Sequence, residues 1–143
     1  MLKGIDPLLN PELLAVLAAM GHGDEIVFSD ANFPATSVAA ETVHGVALRV
    51  DCPVLAALGA ALSIFPLDTF DGAPVLTMQV VGDPDATPEV VAEAAPLFAA
   101  EGAAMATLER FAFYERAKGA FAIVRTLERR PYGNFILRKG VLI

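Results

Sequence analysis

The 143-residue sequence is poor in the residue types on which many protein sites depend. Its single cysteine, Cys52, cannot form an internal disulfide, and its two histidines do not have the spacing of metal ligands. A lone cysteine is typical of a small buried side chain, and this usage favours a reducing cytoplasm. We therefore expect no metal ion and no cofactor.

Positive charge is also scarce, with 10 Lys and Arg against 17 Asp and Glu and a net charge of −7. Nucleic acid is not expected as a partner, because phosphate binding needs a basic patch. The longest uncharged stretch, residues 53–67, is broken by glycine and is too short to span a bilayer. Asp6 and Pro7 interrupt the start before an apolar signal region forms. We expect a cytoplasmic protein with no membrane partner.

The common signature motifs are missing as well: no dinucleotide-binding G-x-G-x-x-G, P-loop, H-E-x-x-H or G-x-S-x-G occurs. What the chain has in quantity is apolar side chains, at 55% against 19% charged residues. A chain of this length and composition predicts one domain, residues 1–143, with a full core. So much apolar surface on a small domain indicates that other copies cover part of it.

Strand and helix patterns alternate along the chain. Strands are predicted at 25–29, 42–50, 74–81, 105–108, 120–126 and 135–141, with His44 in the second. Helices are predicted from Pro11 to Gly21, after Asp51 and Pro53, from Glu89 with an interruption at Pro96, and over 110–118. The fold class expected is α/β, a three-layer αβα domain. Its sheet is mixed and mostly parallel, because the last connection is too short for a helical crossover.

The most distinctive local feature is His22, placed between Gly21 and Gly23. Histidine both gives and takes a proton near neutral pH, and flanking glycines let the backbone turn the ring toward a cleft. Asp30 follows the buried strand, where α/β proteins usually bind ligands. The alternative interpretation is an ordinary loop histidine and a turn-forming aspartate.

Further polar groups are spread along the chain: Asp68, Arg110, Tyr114, Tyr132 and Asn134. Together they suit a polyhydroxylated ligand, since sugar hydroxyls need paired donors and acceptors and tyrosine adds an apolar face. Taken singly, each is equally explained as a turn, core, interface or ion-paired surface residue.

Several ordered blocks resemble one known family, that of L-fucose mutarotase and D-ribose pyranase. The blocks are Gly21 to Val27 (GHGDEIV), Asp30 to Pro34 (DANFP), Arg110 to Ala117 (RFAFYERA), Tyr132 to Asn134 (YGN) and Leu137 to Val141 (LRKGV). Gly23 after the histidine, Asn32 and Phe33 in the loop, and the Arg110 block resemble the fucose branch.

The resemblance implies specific roles for these residues. His22 would be the acid/base group, and Asp30, Arg110, Tyr132, Gly133 and Asn134 would contact the sugar. Asp68, Tyr114 and Met78 match positions implicated in vertebrate-type members. Asp30 or Asp68 would hold the imidazole in the right tautomer, and Tyr114 would be a second proton carrier.

The function implied is a mutarotase that interconverts the anomers of L-fucose or a similar monosaccharide by acid/base-assisted ring opening. The resemblance also implies a homo-oligomer, commonly a decamer, with sites near subunit boundaries. Two alternatives stay open: a D-ribose pyranase, and a non-catalytic sugar-binding partner of a transport or regulatory system.

Overall fold

The computed structural model describes residues 1–143, which form six strands and five helices. The strands are β1 (Glu25–Ser29), β2 (Leu48–Arg49), β3 (Val75–Met78), β4 (Met105–Leu108), β5 (Ala122–Arg125) and β6 (Phe135–Arg138). The helices are α1 (Pro11–Ala19), α2 (Ala35–Ala39), α3 (Val54–Leu62), α4 (Glu89–Ala100) and α5 (Arg110–Lys118). None of the helices is long and apolar enough to cross a membrane.

All six strands belong to one sheet, in the order β2-β5-β1-β6-β3-β4. Strand β1 is parallel to β5, with Val27 opposite Ile123, and β3 is parallel to β4. Only β6 runs the other way, antiparallel to both β1 and β3. The prediction of a mixed, mostly parallel sheet is confirmed.

Helices cover both faces of this sheet. Side chains alternate between faces along a strand, so Ile26 and Phe28 of β1 join the core beneath α1, α3 and α4. Val27 lies on the opposite face, in the smaller core with Phe113 of α5 and Val38 of α2. The three-layer αβα prediction is therefore confirmed.

The predicted strand over 42–50 is wrong for most of its length. The Thr42 hydroxyl donates to the carbonyl of Ala39 and accepts from the amide of Gly45, whose φ is 81°. This turn ends the short helix α2, which the sequence analysis missed, and leaves only Leu48–Arg49 in the sheet. His44 is an exposed turn residue and does not lie in a strand.

Proline positions also differ in detail from the prediction. Helix α3 begins at Val54 with Pro53 at its N-cap, so it has no side-chain cap, and Asp51 pairs with Arg49. Helix α4 continues through Pro96. Both Pro96 and Ala92, whose carbonyl the proline leaves without an amide partner, are exposed, so water can replace the missing bond.

Candidate active site

Strand direction divides the predicted site residues between two edges of the sheet. The segments that follow β1, β3 and β4 meet at one edge, together with the segment that precedes the antiparallel β6. We call this the carboxyl edge. At the opposite, amino edge lie the segments that precede β1 and β3, beside the end of β6. Ligand sites of α/β sheets usually lie at a carboxyl edge.

A cleft of about 230 Å³ opens at the carboxyl edge. Its walls come from the loop after β1, the end of β3, the first turns of α5 and the loop before β6. The lining residues are Asp30, Asn32, Phe33, Met78, Val81, Arg110, Tyr114, Pro131, Tyr132 and Asn134. The wall combines apolar surface with several convergent polar groups, which is the usual make-up of a small-molecule site.

Asp30 is the most heavily bonded side chain of the cleft and is only 3% exposed. Its Oδ1 accepts from the amides of Asn32 and Phe33, at 3.0 and 2.8 Å, which fixes the turn after β1. Asn134 accepts from the Asp30 amide at 2.9 Å and donates to its Oδ2 at 3.2 Å. Burial raises the pKa of Asp30, and these hydrogen bonds oppose that shift.

Tyr132 enters the cleft from a strained backbone position. Its φ is 62°, in the left-handed region, which costs a non-glycine residue about 1–2 kcal/mol. The Tyr132 hydroxyl accepts from the Val81 amide at 3.1 Å, across the cleft wall. The next residue, Gly133, is buried behind the lining, between Glu128 and Asp30.

Helix α5 adds a cation and two aromatic rings. Arg110 Nε donates to the Tyr114 hydroxyl at 3.4 Å, and this bond raises the pKa of Arg110. The Tyr114 ring packs on Phe33 with centroids 5.5 Å apart, and Phe111 stays exposed beside Arg110. The Glu109 carboxylate caps the helix start, so the orientation of these side chains follows from a fixed first turn.

The amino edge holds the imidazole. His22 Nε2 lies 3.4 Å from Asp68 Oδ2, and the His22 side chain is 55% exposed. Asp68 is buried and accepts from Arg138 Nε at 3.0 Å and from the Phe70 amide at 3.2 Å. Burial raises the pKa of Asp68, but the Phe70 amide, Arg138 and His22 outweigh it, so the pKa is lowered overall.

The end of β6 holds this edge together. The Gly23 amide donates to the Lys139 carbonyl at 2.8 Å, and Lys139 Nζ donates to two carbonyls at the end of α1. Gly140 passes so close to the chain before Asp68 that a Cβ there would lie 2.5 Å from the Leu67 carbonyl oxygen. The backbones that carry His22 and Asp68 are therefore joined through residues 138–140.

The structure thus brings together six of the predicted residues in the cleft: Asp30, Met78, Arg110, Tyr114, Tyr132 and Asn134. Gly133 lies directly behind them. His22 and Asp68 are elsewhere, because the whole of β1, roughly 16 Å at about 3.3 Å per residue, separates the two edges. Within one copy, Asp68 is the carboxylate that contacts His22, and Asp30 is not.

Arg138, which shares the Asp68 carboxylate with His22, was not among the predicted site residues. Glu128 and Arg130, which lie under the loop that carries Tyr132, were not predicted either. No local signal marks an ion pair between residues 70 positions apart, as Asp68 and Arg138 are. No group of three or more His, Cys, Asp or Glu side chains is placed to hold a metal ion.

The two edges offer different chemistry. The cleft provides donors, acceptors and apolar surface at fixed positions, which suits the binding of a small polar molecule. The His22–Asp68 pair provides an exposed imidazole with a carboxylate 3.4 Å from Nε2, and an exposed imidazole can both give and take a proton.

Known proteins share this architecture over its full length. The protein Atu2016, a candidate sugar-binding protein, is 48% identical, with a TM-score of 0.95 over 100% of this chain and 97% of that one. The fucose mutarotase of Streptococcus pneumoniae, solved with L-fucose, is 36% identical, with a TM-score of 0.87 over 99% and 100%. RbsD of Bacillus subtilis, solved with D-ribose, is 26% identical, with a TM-score of 0.76 over 100% of both chains.

A family model gives the same result from the sequence. The model of the RbsD / FucU transport protein family matches residues 3–142, which include both edges of the sheet and every residue of the cleft. With nearly the whole chain matched and its fold shared with proteins solved in complex with fucose and ribose, the chain belongs to the RbsD / FucU family.

Proposed function

We propose that this chain is a sugar mutarotase that interconverts the α and β anomers of L-fucose or a similar reducing sugar. In this proposal each working site combines the cleft of one copy with the His22–Asp68 pair of a second copy. The observation that carries the proposal is a separation: the cleft holds several polar groups but no imidazole, and the imidazole of His22 is exposed outside that cleft.

The chemistry needs little beyond these groups. A base removes the anomeric hydroxyl proton, an acid protonates the ring oxygen, and the bond between that oxygen and the anomeric carbon breaks to give an open-chain aldehyde. Rotation and reclosure on the other face produce the second anomer, with both protons returned. His22 is the acid/base group, Asp68 orients it, and Tyr114 is the second proton carrier. Positioned proton transfer of this kind typically accelerates a reaction by 10²- to 10⁴-fold.

The cleft supports a deoxy sugar as substrate. Asp30, Arg110, Tyr132 and Asn134 supply donors and acceptors for ring hydroxyls, with Gly133 behind them. Met78, Phe33 and Val81 give an apolar lining for a methyl group, which L-fucose carries where most hexoses carry a hydroxymethyl group. The greater identity to the fucose mutarotase than to RbsD points the same way.

Exposed apolar side chains at both edges support the proposal that a second copy supplies the imidazole. Phe70, next to the amino-edge site, is 70% exposed, and Val81 and Phe111 at the cleft are 62% and 66% exposed. Large apolar side chains in such places are commonly covered in an assembly. At about 230 Å³ the cleft is also smaller than the roughly 300–1,000 Å³ of a complete ligand pocket. The assembly proposed is a ring of copies, commonly ten in this family.

The proposal places the protein in the cytoplasm, where a buried free thiol such as Cys52 stays reduced. Sedimentation of the purified protein measures the number of copies, and a monomer at micromolar concentration would contradict the shared site.

Saturation-transfer NMR on L-fucose tests the activity. We expect the wild-type protein to accelerate anomer exchange and His22→Ala to lose about 10²- to 10⁴-fold of that acceleration. The matched control is His44→Ala, since His44 is the other histidine and lies exposed in a turn. Equal exchange with wild type and His22→Ala would remove His22 from the mechanism.

The same measurement on fucose, ribose, galactose and rhamnose separates the alternatives. Preferred pyranose–furanose exchange of D-ribose would establish the pyranase instead. Binding of a sugar without faster exchange of any of the four would establish a non-catalytic sugar-binding protein.

A further inference from the structure

The loop between β5 and β6 is the strained wall of the cleft. Tyr132 has a φ of 62°, and on the cleft side its hydroxyl is held by the Val81 amide alone. A backbone in this region persists only where the surrounding structure holds it from several sides.

Glu128 lies behind the loop and is 4% exposed. Its Oε1 accepts from the Arg130 amide at 3.1 Å and from Arg130 Nε at 2.9 Å, and its Oε2 accepts from Arg130 Nη2 at 3.2 Å. The Glu128 carbonyl accepts from the Ala31 amide at 2.8 Å. One residue therefore joins the start of this loop to the chain that directly follows Asp30.

Arg130 extends the connection to helix α4. Its Nη1 lies 2.7 Å from Glu93 Oε2 and 3.7 Å from Glu89 Oε1, while Nε and Nη2 remain on Glu128. A guanidinium presents several donors in one rigid plane, so it can hold both carboxylates at once, which a lysine cannot. None of these four residues lines the cleft.

Gly133 lies between Glu128 and the residues that line the cleft. A Cβ at Gly133 would lie 2.9 Å from Glu128 Cγ, so the two are packed without spare room. Gly133 is flanked by Tyr132 and Asn134, and Asn134 is bonded to Asp30. The Glu128 side chain therefore packs directly against the backbone that carries Tyr132 and Asn134.

We propose that Glu128 and Arg130 are positioning residues that, anchored to α4 through Glu93, hold Tyr132 and Asn134 in their sugar-binding orientation. The inference rests on the proposed function for its substrate. It assigns α4, which supplies no lining residue, a role in sugar affinity.

The test compares Arg130→Ala, Arg130→Lys and Glu93→Gln in the sugar-exchange measurement, on the intact assembly. Arg130→Ala is expected to raise KM roughly tenfold with a smaller change in kcat, because binding contacts are displaced while the imidazole is untouched. Arg130→Lys, which keeps one carboxylate contact, restores part of the loss. Glu93→Gln leaves the Glu128–Arg130 pair in place and is expected to raise KM about two- to threefold.

Two further readouts separate positioning from general stability. Hydrogen exchange of the Val81 amide, bonded to Tyr132, is expected to speed up in Arg130→Ala while the amides of β1 keep their protection. The control is Arg49→Ala, which removes an exposed ion pair between the edge strand β2 and Asp51, makes no contact with Glu128 or Arg130, and is expected to leave both readouts unchanged.

A lower thermal midpoint with unchanged KM and unchanged Val81 exchange in Arg130→Ala would overturn the inference and leave the proposed function standing. Wild-type protein that accelerates no sugar's exchange would overturn the proposed function and, with it, this role for the pair. Faster Val81 exchange without a rise in KM would also overturn the inference, since the loop would then have moved without consequence for the sugar.

Discussion

The two edges of the sheet differ in how far their candidate functional side chains are buried and hydrogen-bonded. At the carboxyl edge Asp30 and Asn134 are buried and bonded to each other. At the amino edge the reactive ring of His22 is more than half exposed, although its partner Asp68 is buried. Under the proposed function, the carboxyl edge of one copy binds the sugar and the amino edge of a second copy presents the imidazole to it.

Glycine substitutions are expected to give the largest differences in stability between the two edges. Gly140→Ala is expected to destabilise the protein by about 1–3 kcal/mol, because the new Cβ would lie 2.5 Å from the Leu67 carbonyl oxygen and the backbone there has no room to move. Urea unfolding at neutral pH measures the loss. The new side chain is also expected to move Asp68 relative to His22, so the kcat of sugar exchange is expected to fall.

Gly133→Ala is the matched substitution at the other edge. There the new Cβ would lie 2.9 Å from a side-chain carbon, Glu128 Cγ, and not 2.5 Å from a backbone oxygen. The overlap is less severe, so the loss of stability is expected to be the smaller of the two and the main effect a higher KM. A larger loss of stability in Gly133→Ala than in Gly140→Ala would contradict this assignment of rigidity.

The pH dependence of stability gives a smaller effect, which has opposite signs at the two edges. The pKa of Asp68 is lowered from 3.8, so its carboxylate stabilises the fold above that pH and the contribution is lost as the pH falls through the folded-state pKa. The pKa of Asp30 is raised, so its contribution is present at low pH and is lost as the pH rises through the folded-state pKa.

Asp68→Asn is therefore expected to reduce the gain in unfolding free energy that accompanies a rise in pH below about pH 4, and Asp30→Asn to increase the gain above about pH 4. Urea unfolding at several pH values gives both slopes. Asp30→Asn lowers stability at every pH, since its amide meets the amide of Asn134, but only the slope tests the titration. Slopes that change in the same direction would contradict the assigned shifts.

Local sequence signals predicted much of the fold. The apolar run of β1, the Asn10 cap with Pro11 and the Arg110–Lys118 helix were confirmed with their bounds or nearly so. The missed helix α2 has a local cause: Thr42 bonds back to Ala39 and ends a helix of five residues, which is too short to show a periodic pattern.

The blocks that resemble the family contain most of the residues that line the cleft, but they do not show that β1 separates those residues from His22. His22 and Asp30 are eight positions apart in the sequence, yet the strand between them places them at opposite edges. The Arg138–Asp68 and Arg130–Glu93 pairs depend on which strands and helices become neighbours, and no pattern within a short window reports that.

Mixing two inactive variants tests the shared site most directly. His22→Ala keeps the cleft and Asp30→Asn keeps the imidazole, so an assembly formed from equal amounts of both contains some clefts that face an intact His22 of a neighbour. With random assembly about a quarter of the sites are complete, and L-fucose exchange is expected to recover to roughly that fraction of the wild-type rate. Exchange in the mixed assembly no faster than in the separate variants would contradict the division of the site between copies.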